Sequence, residues 1–244
     1  MESPSKKHRL LRKERKSVFY QEYPSHYVAI DCIIFGFDKK KLKLLLIKRY
    51  FQPGKGKWSL MGGFLKENES LDEAADRILY ELTGLNNIYS EQLHTYGEVD
   101  RDPAGRVVSV AYYALIDTVK FDEIISRDYH ASWFDINKIP ELIFDHNEMV
   151  DKALRRLRRR CKSQPIGFEL LPQKFTIPQL MKLYEAIFQQ KFDKRNFRKK
   201  ILSHGVLTKL EEKDMEGSRK GAYLYQFDKE KYDELINNGY NFEI

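Results

Sequence analysis

Between residues 192 and 201 the chain reads FDKRNFRKKI, and its side chains are of the kinds that read DNA. Phe197 and Ile201 are four residues apart, so on a helix they share a face and can dock against Leu180, Leu183 and Tyr184 upstream. Lys194, Arg195, Asn196, Arg198 and Lys199 then occupy the other faces. Arginine pairs bidentately with guanine, asparagine pairs with adenine, and lysine holds phosphate. In a helix-turn-helix, residues near the N-terminal end of the second helix meet the base edges. Asp193 can cap this helix, and Arg219 and Lys220 lie in EEKDMEGSRKG, a plausible wing able to reach a phosphate or the minor groove. A solvated basic helix would carry the same residues, so the surroundings must decide.

A second group of residues is spaced for phosphate chemistry. Gly63, Glu69, Arg77, Leu79, Glu81, Gly84 and Leu85 resemble the Nudix box, G-x5-E-x7-R-E-U-x-E-E-x-G-U with U aliphatic, at seven of its nine specified positions. That box hydrolyses diphosphates by holding Mg²⁺ or Mn²⁺ on glutamates that share one helix face, because hard cations take oxygen ligands. The corresponding helix positions here are Ile78, Glu81 and Leu82, so two of three carboxylates are replaced by apolar side chains. The resemblance therefore implies the fold without its hydrolysis. Glu69 and Glu81 are expected to brace the loop and helix through Arg77 and backbone amides. No catalytic residue, metal site or cofactor is expected. The competing reading is a metal-dependent hydrolase of ADP-ribose or a nucleotide sugar.

The elements that must position these residues are legible in the pattern. Tyr27–Phe37 (YVAIDCIIFGF) reads as a buried strand and Leu42–Arg49 as its hairpin partner. Trp58–Met61 is a short strand running into Gly62 and Gly63. Ser70 and Glu73 form a capping box, Leu71, Ala74, Ala75, Ile78, Leu79 and Leu82 an apolar helical stripe, and Gly84 a left-handed stop. Gln92–Glu98, Arg106–Ile116 and Ala131–Phe134 read as strands, and Asn147–Cys161 as a helix. Pro165 breaks that helix and sets a domain boundary after residue 162. Beyond it, Ile177–Phe188 and Lys194–Ser203 read as helices, and Gly205–Lys209 and Ala222–Phe227 as the strands of a hairpin.

Composition agrees with a DNA partner. The 244 residues carry a net charge of +7, but it is segregated. Residues 1–20 carry +5, residues 21–150 carry −6, residues 151–162 carry +6 and residues 163–244 carry +2. Basic segments flanking an acidic body attract phosphate. Hydrophobic residues at 42% support a packed core, and no apolar run approaches the ~20 residues of a membrane helix. Cys32 and Cys161 alone make neither a disulfide framework nor a zinc site. No signal peptide is recognisable, so the expectation is a soluble protein of the cytoplasm.

A degenerate Nudix domain followed by a winged helix resembles the bacterial Nudix-related transcriptional regulators. These include repressors of nicotinamide-cofactor metabolism and arabinose-responsive regulators of pentose use. IDCIIFGF, WSLMGGF, LTGL, DRDP, RVVSVAYYALI, IFDH, PIGFELLP, LYEAIF and DKRNFRKK look most like the sugar-responsive branch. The likeness spans residues 21–244. It implies a Nudix α/β/α sandwich with a mixed sheet over residues 21–162, which senses an effector and dimerises. It implies a winged-helix DNA-binding domain over 163–244; residues 1–20 lie outside the likeness and read, from their polar and basic composition, as a flexible tail. A homodimer would then repress from a pseudo-palindromic operator in double-stranded DNA.

The effector is open between a pentose such as arabinose or xylose, a sugar phosphate and ADP-ribose. A sugar needs polar groups for its hydroxyls and an apolar platform for its C–H face. Asp31, Trp58, Glu69, Asp100, Arg101, Asp102 and His146 lie on segments able to face a Nudix cleft. Each also has an ordinary role open to it: Asp31 pairing with Arg49, Trp58 in the core, residues 100–102 as an exposed turn, and His146 as a helix cap.

Overall fold

The computed structural model describes residues 22–84, 86–118, 131–215, 220–240 and 242–243. The basic segment 1–20 and Arg219 lie outside the described residues. The first module comprises Tyr27–Phe37 (β1), Leu42–Lys48 (β2), Trp58–Ser59 (β3), Met61–Phe64 (β4), Leu71–Thr83 (α1), Tyr89–Tyr96 (β5), Val107–Asp117 (β6), Ala131–Asp135 (β7) and His146–Ser163 (α2). Its sheet is mixed and runs β3-β2-β1-β6-β5, with β4 also on β1 and β7 also on β2. β1 and β6 are parallel and in register along their whole length, from Tyr27 opposite Val107 to Phe37 opposite Asp117.

β1 reads as one apolar run because both of its faces are covered. Ile30, Cys32 and Ile34 point to one side, where Ala74, Ala75, Ile78 and Leu79 of α1 pack on them. Ile33, Phe35 and Phe37 point to the other side and join Met149, Val150, Ala153, Leu157 and Cys161 of α2. The expected capping box is present on α1: the Glu73 amide donates to Ser70 Oγ at 3.2 Å and the Ser70 amide donates to Glu73 at 2.7 Å. Gly84 ends the helix at φ 70°.

The second module follows a 3₁₀ turn at Pro165–Leu170. It contains Phe175–Thr176 (β8), Ile177–Phe188 (α3), Lys194–Ser203 (α4), Leu207–Asp214 (β9), Ala222–Phe227 (β10) and Lys229–Asn237 (α5). Two helices and a hairpin, closed by the sheet β8-β10-β9, make a winged helix. Thr176 and Asp193 cap α3 and α4. Phe197 and Ile201 are buried on α4, and Tyr184 of α3 meets Phe197 edge-on at 5.7 Å. β9 begins at Leu207 and not at Gly205, because Gly205 turns the chain out of α4 at φ 69°. The helix α5 has no counterpart in the sequence pattern.

The two modules do not have separate cores. Leu180, Leu183, Tyr184, Ile187, Phe197 and Ile201 belong to the same buried cluster as the α2 side of the first sheet. Among the described residues no helix is long and apolar enough to cross a membrane.

Candidate functional site

A cleft of about 480 Å³ opens at the end of the first sheet where α2 begins. Asp31 faces it from β1, on the α2 side of the strand. Ser109 of β6 donates to its Oδ2 at 2.5 Å. Gly62 of β4 lies opposite Asp31, and a Cβ there would come within 2.5 Å of Asp31 Oδ1, so only glycine lets this strand close on that carboxylate. Arg101 is buried beside it, with Nη2 3.6 Å from Asp31 and a two-pronged bond to Asp145 at 2.7 and 2.8 Å. Burial opposes the guanidinium charge, but the Asp145 carboxylate more than offsets it, so the Arg101 pKa is raised.

His146 completes the floor. The Leu60 amide donates to its Nδ1 at 3.1 Å, which leaves the ring proton on Nε2, 3.7 Å from Asp31 Oδ1. Burial holds the imidazole pKa below its ordinary value, so the ring is neutral near pH 7. The floor thus offers a carboxylate acceptor and an imidazole donor side by side. The rim is aromatic and cationic. Lys48, Arg49, Tyr50, Phe51, Phe64 and Phe144 line it, and the Arg49 guanidinium sits 4.1 Å from the Phe51 ring centre. This arrangement can bind a polyhydroxylated ligand by its hydroxyls and its apolar faces.

The Nudix-box helix does something else. Glu69 accepts two bonds from Arg77, at 2.7 and 2.6 Å, and one from the Lys66 amide at 2.7 Å. These contacts, Arg77 foremost, hold its carboxyl down to about 2. Arg77 also reaches Glu81 at 3.2 Å and the Phe64 carbonyl at 3.1 Å. Ile78, at a metal-ligand position of the box, is 2% exposed and packs beneath Gly63. Among the described residues no three His, Cys, Asp or Glu side chains converge as a metal would require. The residues present do not fit the divalent cation of diphosphate hydrolysis.

The structure sorts the seven effector candidates. Asp31, Arg101, Asp102 and His146 line the cleft. Asp100 instead borders an adjoining cavity with Asp145 and Glu148. The other two lie outside its lining. Glu69 does not line the cleft, because Arg77 consumes its carboxylate. Trp58 turns to the core and packs edge-on against Phe134 at 4.8 Å. Asp31 pairs with Arg101 and not Arg49, and Asp145, not His146, occupies the N-cap of α2. The sequence reading met Arg49 only as a partner for Asp31 and passed over Phe51, Phe144 and Asp145. The last two sit in IFDH, immediately before His146, which was the available signal.

On the opposite module, α4 exposes Lys194, Arg195, Asn196, Arg198 and Lys199 together, while Phe197 and Ile201 face inward. Arg198 Nη2 lies 3.4 Å from Tyr225 Oη, which ties the helix to the hairpin. Lys220 is exposed at the start of β10, and Arg219 falls outside the described residues. The hairpin adds a feature not anticipated: Lys209 and Lys213 stack on Tyr223, at 3.6 and 4.7 Å from its ring centre. Lysines four apart on a strand share a face, which was the missed signal.

The Nudix domain model matches residues 25–157, more than half of the chain, and the NrtR DNA-binding winged helix domain model matches residues 167–227. The "ADPR responsive transcriptional repressor NtrR" of Acinetobacter baylyi is 33% identical over 87% of this chain and 86% of its own length. The chain belongs to the NrtR-like Nudix transcriptional regulators. Among solved structures, Shewanella oneidensis NrtR complexed with a 27mer DNA superposes with a TM-score of 0.78 at 29% identity, covering 88% of this chain and 97% of that one. The same protein in another crystal structure gives 0.74 at 29% identity, over 82% and 93% of the two chains. The ADP-ribose pyrophosphatase of Methanocaldococcus jannaschii is 36% identical over 59% of this chain and 82% of that protein, so it resembles the Nudix module alone.

Proposed function

We propose that this chain is a DNA-binding repressor whose Nudix module, residues 21–162, binds a sugar-bearing effector and hydrolyses nothing. The observation that carries the reading is the division of labour in that module. Ile78 is packed away and Arg77 takes up Glu69 and Glu81, while Asp31, Arg101 and His146 converge on an open cleft. Residues 163–244 would then offer Lys194, Arg195, Asn196, Arg198 and Lys199 to the major groove and Lys209, Lys213 and Lys220 to the phosphates, with Arg219 a further candidate from the sequence. A homodimer would present two such helices to the half-sites of a pseudo-palindrome, in the cytoplasm where the operator lies.

The effector is a molecule with a pentose ring. Its vicinal hydroxyls suit the Asp31 carboxylate and the His146 Nε2–H. Support for ADP-ribose comes from the Acinetobacter relative, and the rim can serve the rest of that molecule: Lys48 and Arg49 for a diphosphate, Phe51 for a base. A free pentose such as arabinose or xylose is the second reading. It is favoured by the Asp31 and Asp102 carboxylates, which welcome hydroxyls and repel phosphates.

Fluorescence anisotropy on DNA from upstream of the chain's own gene, against a scrambled duplex, tests this reading. ADP-ribose, L-arabinose and D-xylose are added in separate arms, and each is incubated with Mg²⁺ or Mn²⁺ and assayed for product. Specific binding weakened by one ligand, without turnover, is expected. Metal-dependent release of nucleoside monophosphate would establish the hydrolase instead.

A further inference from the structure

We propose that α2 is the lever that carries the effector signal to the DNA-reading helix, and that Glu91 is the positioning residue on which it pivots. The proposal rests on the effector-cleft reading above.

α2 is 18 residues long, about 27 Å at the helical rise of ~1.5 Å per residue. Its first end belongs to the cleft. Asp145, the N-cap, is held by Arg101, and His146, the first helical residue, accepts the Leu60 amide. Its last turns belong to the winged helix. Arg158 Nε donates to the Ile187 carbonyl of α3 at 2.7 Å, and the Lys162 ammonium sits 5.8 Å from the Phe188 ring centre. From Phe188 a series of ring contacts runs to Phe192 at 6.1 Å and on to Phe197 of α4 at 5.6 Å. One rigid element therefore touches the effector floor at one end and the support of the reading helix at the other.

Besides its apolar packing, the C-terminal half of this helix is held to the sheet through a carboxylate. Glu91 of β5 is largely buried, with its side chain 19% exposed. Its Oε2 accepts from Tyr89 Oη at 3.0 Å and Tyr113 Oη at 2.8 Å, both on the sheet. Its Oε1 accepts from Arg156 at 2.9 Å and Arg160 at 2.7 Å, both on α2. Two tyrosines fix the carboxylate to the sheet, and two arginines hang the helix on it. This anchor lies in the C-terminal half of the helix, on either side of Arg158, so a shift of the N-terminal end is passed through it to the winged-helix contacts. A ligand that re-partners Asp31, Arg101 or His146 moves the N-terminal end of α2, and the α3–α4 pair moves with the C-terminal end. Such coupling needs only that the ligand prefer one of the two arrangements.

The test is a coupling ratio, the operator Kd with effector divided by that without, using ADP-ribose and L-arabinose as probes on the full chain. Wild type is expected to give a ratio of at least about tenfold for one probe. Glu91→Gln keeps the shape and a hydrogen-bonding oxygen but removes the charge that holds two arginines. It should lower the ratio to within about threefold of unity while effector affinity, measured by calorimetry, stays within about threefold of wild type. Arg158→Met cuts the link at the far end, away from the cleft, and should do the same. A residue that only stabilised the fold would lower Tm and leave the ratio alone. Both variants retaining the wild-type ratio would overturn the proposal. A wild-type chain whose operator binding ignores both probes would overturn the effector reading beneath it, so the two failures are distinguishable.

Discussion

Arg101 and Asp145 are paired through both prongs of the guanidinium, at 2.7 and 2.8 Å, with the Arg101 side chain only 3% exposed. The pairing diverts Asp145 from the role its position invites. It is the N-cap of α2, yet its side chain makes no capping hydrogen bond. A cap is worth about 1 kcal/mol, and here it is forgone for an ion pair that locks the 100–102 turn onto the helix end. A structure optimised for stability alone would cap the helix. The exchange makes sense where the end of α2 has to answer to what occupies the cleft.

Breaking that pair from the acidic side should therefore be costly. Asp145→Asn leaves a buried guanidinium with only the more distant Asp31 and Asp102, and such a poorly compensated charge costs about 3–5 kcal/mol. Denaturant unfolding of Asp145→Asn and of the double variant with Arg101→Met checks this. The double variant should recover part of the loss, because no buried charge is then left alone.

The reading helix makes a separate prediction. Replacing Arg195 and Arg198 with alanine removes two exposed charges from α4 without touching Phe197 or Ile201, so Tm should fall by no more than the loss of the long Arg198–Tyr225 contact. Operator affinity should fall by about 100-fold or more if one arginine reads a base and the other a phosphate, and the slope of log K against log salt should flatten by about 1–2. Unchanged affinity would remove α4 from the groove.

Restoring the box should not restore an enzyme. Ile78→Glu would drive a carboxylate into the space between α1 and β1, beneath Gly63, where Ala74 and Ala75 pack as neighbours. A destabilisation of at least about 3 kcal/mol is expected, with no metal-dependent turnover of ADP-ribose. Thermal melts with and without Mg²⁺ decide it. A melt raised by Mg²⁺ would mean that the helix face can still gather a cation.

These sites differ in how far sequence could reach them. Ser70 with Glu73, and Phe197 with Ile201, are local pairs whose spacing alone implies a capped helix and a one-sided helix. Glu69 with Arg77 was nearly as local, and the expected bracing through Arg77 is what the chain shows. The Arg101–Asp145 pair joins residues 44 apart, and Glu91 meets Arg160 from 69 residues away. No periodicity encodes such pairs, because only the stacking of α2 on the sheet brings them together. α5 escaped notice for another reason. It buries no residue fully, so the sequence shows no strong apolar stripe.

Buried His146 shapes the pH dependence near neutrality, together with His204. Its folded-state pKa is depressed by burial, so below 6.5 the unfolded chain takes up a proton more readily than the folded one. The stability that this ring contributes is fully present above 6.5 and is lost as pH falls through the folded value. Glu69, held near 2 by Arg77, loses its contribution only at lower pH, between its ordinary 4.5 and about 2. Melting temperature should thus decline first as pH falls below 6.5, where His204 is also held down by burial, and His146→Asn should flatten its share of that portion. A decline untouched by His146→Asn would assign it to another group.

The rim separates the two effector readings. Arg49 Nε donates to the Pro53 carbonyl at 2.8 Å, and its guanidinium rests on Phe51, so its charge is anchored at the rim of the cleft, within electrostatic reach of Asp31 and His146. A diphosphate attached to a floor-bound ribose would pair with that charge, whereas a free pentose carries no charge to pair with it. Arg49→Met should then weaken ADP-ribose binding by about 10-fold or more, the worth of a charge-assisted hydrogen bond. Arabinose or xylose binding should change by less than about twofold, since the rim charge would make no bond to either sugar. Arg49→Lys keeps the charge but loses the fork that grips Pro53, so it separates loop anchoring from electrostatics. Calorimetry of the three proteins with each ligand gives the answer. Equal losses for nucleotide and pentose would put Arg49 on the ring itself and turn the assignment of floor and rim around.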